Sequence, residues 1–101
     1  MEQSLPTRDQ IIEVLKTIED PELFLDIWFL GLIYSISIAE DGLVDVEMTF
    51  TSPMCPAGPS LINQVQTKVA SVPGVRECKV TVTFTPAWEP SEEVKGMLGM
   101  L

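Results

Sequence analysis

The chain has no histidine, only two cysteines, one tyrosine, and six basic residues against 15 acidic ones. Each shortage excludes something. Without histidine there is no Cys-His or Ser-His catalytic pair within the chain and no His-ligated metal site. The bases, Arg8, Lys16, Lys68, Arg76, Lys79 and Lys95, form no run. A net charge of −9 and a pI near 4.2 argue against nucleic acid, whose phosphates need neutralising by Lys and Arg. An anionic membrane surface is disfavoured for the same reason. No apolar stretch reaches the ~18 residues of a spanning helix, and Met1-Glu2-Gln3-Ser4 lacks the charged and apolar regions of a signal peptide. The expectation is a cytoplasmic protein.

What is present suits one domain over residues 1–101, with 46% hydrophobic residues to build a single core. Thr7 and Gln10 form a capping box, opening a helix through about Ile18 with Ile11, Val14, Leu15 and Ile18 inward. Asp20-Pro21 is expected to end it. The apolar run Ile27 to Tyr34 feeds a first strand to about Ile38, and Asp41-Gly42 is a hairpin signal. In the second strand Val44, Val46, Met48 and Phe50 face one side, while Asp45, Glu47, Thr49 and Thr51 face the other. One sheet face is therefore buried and the other is wet or meets a partner. A second helix is expected from about Pro59 to Ser71, with Gly58 as its cap and Leu61, Ile62, Val65 and Val69 inward. Pro73-Gly74 then turns into a third strand, where Cys78, Val80, Val82 and Phe84 alternate with Lys79, Thr81 and Thr83.

Cys55, in Thr51-Ser52-Pro53-Met54-Cys55-Pro56, is the one side chain with evident chemical potential. Cysteine reacts and binds metals as the thiolate, which a helix N-terminus stabilises, and two prolines stiffen this corner. The ordinary alternative is a buried, inert cysteine. Cys78 falls in register with core residues and reads as structural. A strand–helix–strand crossover normally returns parallel, which puts the two cysteines at opposite sheet ends, on the order of 20 Å apart. No disulfide is expected.

Asp20-Pro21-Glu22-Leu23, Leu30-Gly31-Leu32-Ile33-Tyr34, Thr49 to Pro56, Val72-Pro73-Gly74-Val75 and Pro86-Ala87-Trp88 occur in that order. Over about residues 7 to 95 the chain resembles the SufT/PaaD-like family of iron–sulfur cluster assembly domains, also called MIP18-like. The resemblance implies an α+β two-layer domain. Its small mixed three-stranded sheet is packed by helices in the order helix-strand-strand-helix-strand, plus a short C-terminal helix. It also implies a role in maturing iron–sulfur client proteins, with Cys55 as the reactive or metal-binding cysteine and Glu22, Thr49 and Thr51 around it. Trp28-Phe29 departs from the family pattern, which has a small apolar residue and Asp there.

Chemistry is compatible with that constellation. Glu22 could share a soft–hard metal site with the thiolate or accept its proton; otherwise it is a solvated loop acid. Asp20 reads as a turn or capping acid at the edge of the site. Thr49 and Thr51 either hydrogen-bond a thiolate or sulfide, or are simply good strand formers. Iron–sulfur clusters generally need four thiolates, and one accessible thiolate cannot supply them. The expected cofactor is thus a transient iron or iron–sulfur cluster, none held stably by the monomer. The expected partners are the assembly machinery and client apo-proteins, with a homodimer compatible. No enzyme is expected, although Cys55 as a sulfur- or acyl-transferring nucleophile is a third reading. The other alternative is an interaction module in which Cys55 is only a turn residue. The apolar end, Met97, Leu98, Met100 and Leu101, either covers the core or docks to another chain.

Overall fold

The computed structural model describes residues 5–21, 23–51 and 58–99. Its elements are α1 (Arg8–Leu15), β1 (Ile33–Ile38), β2 (Leu43–Met48), α2 (Gly58–Ala70), β3 (Glu77–Val82) and α3 (Glu92–Leu98). The three strands form one mixed sheet in the order β1-β2-β3, with β2 antiparallel to β1 and parallel to β3. This is the expected α+β architecture.

Thr7 Oγ1 accepts from the Gln10 amide at 3.1 Å while Gln10 Oε1 accepts from the Thr7 amide at 2.8 Å, so the capping box forms as read. The helix ends at Leu15, earlier than Ile18. Pro21 is not the cause. The Thr17 hydroxyl donates to the Val14 carbonyl at 2.6 Å, and the Thr17 and Ile18 amides bond three residues back, to Val14 and Leu15. The chain has tightened into turns before the proline is reached. Ile18 is nonetheless fully buried.

Register places Ile36 and Ile38 beside Val46 and Val44, which in turn pair with Val80 and Cys78. These residues, with Met48 and Val82, make the face against the core. Ser35, Glu47 and Thr81 line up on the other face, followed by Ser37, Asp45 and Lys79. That face is polar, as alternation predicts, and Thr81 Oγ1 donates to Asp45 Oδ1 across it at 3.4 Å. From α2, Leu61, Val65 and Val69 are buried, whereas Ile62 is only half-buried. α2 packs on β3 and α1 packs on α2.

The hairpin tip fixes the parallel pairing. The Arg76 amide donates to the Gly42 carbonyl at 2.8 Å, and Arg76 pairs with Asp41 at 3.0 Å. Gly42 adopts φ +91°, and a Cβ there would lie 2.8 Å from the Gly74 carbonyl oxygen, so glycine is required. The Leu43 amide, aided by Arg76, holds the Asp41 carboxyl below its ordinary value.

Candidate functional site

β2 stops at Met48, and the Thr49 amide donates to the Leu32 carbonyl at 2.8 Å. That bond keeps the register of the Ile33–Met48 pair, so Thr49 extends the β1–β2 pairing one residue past the end of β2. Its side chain is fully buried, although alternation assigns it to the face expected to be wet or to meet a partner. Thr49 Oγ1 has no hydrogen-bond partner among the described residues. Thr51 follows in a bend and is half-buried.

Asp20 is 1% exposed. Its Oδ1 accepts from the Leu23 amide at 3.1 Å, its amide donates to the Leu25 carbonyl at 3.0 Å, and its carbonyl accepts from the Phe24 amide at 2.8 Å. This is the turn-forming acid expected at that position. Asp20 and Thr49 are the only buried polar or charged residues among those described. Consecutive backbone bonds tie their segments together: the Ile27 amide to Ile18 O, the Leu32 amide to Ile27 O, and the Thr49 amide to Leu32 O. The fold thus buries two polar side chains that the sequence marks for the site, on one hydrogen-bonded shoulder.

Glu22 and Cys55 lie outside the described residues. The segment carrying Cys55 begins after Thr51 and ends at Gly58, and its two ends are close. A Cβ on Gly58 would meet Phe50 Cε2 at 2.9 Å, so the Phe50 ring lies against the first turn of α2. Helix α2 starts at Gly58 itself, one residue before the expected start at Pro59. Among the described residues no three Cys, Asp or Glu side chains are grouped to hold a metal ion.

Cys78 is 7% exposed and free, as expected of a core cysteine. Burial, with the nearby Asp45 charge, raises its thiol pKa to about 11. It is chemically silent near neutral pH.

Two contacts at this end of the sheet carried no sequence signal. The β1–β2 register shifts between Ile33 and Ser35, which leaves Tyr34 as a bulge residue whose hydroxyl donates to the Pro86 carbonyl at 2.8 Å. Trp88 Nε1 donates to the Leu30 carbonyl at 2.6 Å. Trp88 is half-buried and packs against the core. Trp28 and Phe29 also pack on the core, with the Arg8 guanidinium 5.7 Å from the Trp28 ring. Among the described side chains of α3, Val94 fills the core, while Met97 is 65% exposed; the Leu98 side chain, Met100 and Leu101 lie outside what the structure describes.

Comparison with known proteins accords with this architecture. A solved conserved hypothetical protein from Thermotoga maritima superposes with a TM-score of 0.83 at 35% identity, covering 94% of this chain and 96% of its own. A relative in Porphyromonas gingivalis called Fe-S protein maturation auxiliary factor is 43% identical over 96% of this chain and 95% of that one. The Staphylococcus aureus Fe-S protein maturation auxiliary factor SufT is 42% identical over 68% of this chain and 78% of that one. A longer iron-sulfur cluster carrier protein of Synechocystis is 32% identical over 76% of this chain, but the match covers 22% of that protein. Residues 8–82 match the family model described as iron-sulfur cluster assembly protein. The match spans most of the chain and both segments that frame Asp20 and Thr49, and the chain belongs to that SufT-like family.

Proposed function

We propose that the chain takes up an iron–sulfur cluster, or its iron, on the thiolate of Cys55 and passes it to apo-client proteins without retaining it. Transfer is ligand exchange. A bond from Cys55 Sγ to iron forms as a donor's bond to that iron breaks, and a client thiolate later displaces Cys55; no electron changes hands. Glu22 serves as a second, harder donor or as the acceptor of the Cys55 proton. One thiolate is far short of the four that hold a cluster permanently. Two copies of the chain would bring two thiolates to one cargo. This reading makes the chain a cytoplasmic, non-enzymatic factor. The carrier match supports a contact in trans with such a carrier, since the longer protein has the same kind of unit as part of one chain.

The observation that supports this reading most is Thr49. A buried hydroxyl without a partner among the described residues costs stability, and Thr49 places one just past β2, six residues before Cys55 in the chain. A hydroxyl donor there suits a thiolate or bridging sulfide. The test is the pH dependence of Cys55 alkylation in the Cys78→Ala background, with and without anaerobic Fe²⁺ and sulfide. A thiol pKa well below ~8.5, with protection by iron or cluster, is expected. A slow thiol indifferent to iron overturns the reading. An adaptor without metal chemistry is the second reading, favoured by the exposed Phe24. It requires that Cys55→Ser still restore iron–sulfur enzyme activity in cells lacking the chain.

A further inference from the structure

Phe24 has φ +59° and is the only non-glycine residue with positive φ among those described. It is also 74% exposed. A single exposed hydrophobic residue is ordinary. An exposed one held in the left-handed region is not, because a Cβ is disfavoured there and a bulky residue at positive φ is an outlier. Glycine at this position would relieve both the backbone and the exposed ring.

The ring is displayed from a closed turn. Glu19 and Asp26 form an antiparallel bridge across its base, Asp20 and Leu25 bond within it, and the Phe24 and Leu23 amides both donate to the buried Asp20. Leu23 and Leu25 on either side pack against the core. Of these three apolar residues, Phe24 alone is turned out. An aromatic side chain on a pre-ordered turn loses little freedom on docking, as binding anchors require. The surrounding charge is of one sign: residues 19–26 contain Glu19, Asp20, Glu22 and Asp26 and no base, in a chain of net charge −9.

We infer that Phe24 is the anchor by which the chain docks on a cluster-carrier protein, inserting its ring into an apolar pocket rimmed by lysine or arginine. This rests on the maturation reading above and names the contact that brings cargo to the site. The anchor leaves the same turn whose Asp20 belongs to the buried shoulder, so docking there sets the partner beside Glu22 in sequence.

The probe is the purified iron–sulfur carrier protein of the same organism, titrated into the ¹⁵N-labelled chain in low salt. Amide shifts should concentrate in residues 19–26. Phe24→Gly and Phe24→Asn, both tolerant of positive φ, should weaken binding about 30-fold, the scale of an aromatic hot spot. Their melting temperature should be unchanged or higher than the parent's. Added NaCl should weaken parental binding. Binding of the two variants within twofold of the parent, shifts that map elsewhere, or no binding overturns the inference. Cells lacking the chain separate this from failure of the function itself. Full rescue by Phe24→Gly sinks the docking anchor alone, whereas intact iron–sulfur enzymes without the chain sink the maturation role.

Discussion

Trp88 and Leu30, 58 residues apart, are joined by a 2.6 Å hydrogen bond from the indole Nε1 to the backbone carbonyl. Leu30 lies in the turn that leads to Leu32, whose carbonyl receives the Thr49 amide. The segment after β3 therefore steadies the strand end from which the Cys55 segment leaves. Trp88→Phe keeps most of the ring and loses the donor. We expect a loss of about 1 kcal/mol, read by urea denaturation, with faster hydrogen exchange at the Leu32 and Thr49 amides. Unchanged exchange there would show that the bond steadies nothing beyond itself.

Thr49→Val separates stability from function. The side chain keeps its shape and sheds a buried hydroxyl that has no partner among the described residues, so stability should hold or rise by about 1 kcal/mol. Protection of Cys55 by iron should weaken. Thr49→Ser should do the reverse, losing roughly 1 kcal/mol with the methyl group while keeping the protection. A Thr49→Val protein that protects Cys55 as well as the parent removes the hydroxyl from the mechanism.

Asp20→Ala removes the acceptor of the Leu23 amide and empties a buried site. A loss of about 1–3 kcal/mol is expected by thermal or chemical denaturation. Asp20→Asn, which retains an acceptor oxygen, should lose less. Equal losses would mean that charge, not the turn bond, is what the position requires.

Cys78 has a pH signature with a definite sign. Its folded pKa of about 11 stands above the ordinary 9.0, so the folded state holds the proton more tightly than the unfolded one. That contribution is complete below pH 9 and is lost as pH rises through about 11. Cys78→Ala should flatten stability across this window relative to the parent. At pH 8 the Cys78 thiolate fraction is about a hundredfold below that of an ordinary cysteine. Mild alkylation of the native protein should therefore label Cys55 and spare Cys78, as peptide mapping can check.

Much of the fold was legible because its elements obey their periods. Val44, Val46 and Met48 alternate into the core, Leu61, Val65 and Val69 recur at helical spacing, and Cys78 falls where the third strand points inward. The exceptions have local causes. Thr17 ends α1 with its own hydroxyl, a bond that composition does not reveal. Thr49 was expected on a wet or partner-facing surface, and alternation along β2 carries no sign that the position past Met48 is covered. Phe24 was invisible because positive φ is ordinarily signalled by glycine, and here a phenylalanine occupies it. Of the site, the chemistry of Asp20 and the core role of Cys78 were readable. The bond from Trp88 was not, because nothing in the local sequence names an acceptor 58 residues away.

The mixed pairing of β2 also orders the folding reaction. Its antiparallel neighbour is reached across the short Ala39–Gly42 turn, whereas its parallel neighbour comes only after the whole of α2. Closing the short loop costs far less chain entropy than closing the long one. The hairpin is therefore expected in the folding nucleus, with the Trp88 contact expected to form on the descent from the transition state. Substitutions such as Ile36→Val should slow folding, while Trp88→Phe should speed unfolding and leave the folding rate nearly untouched.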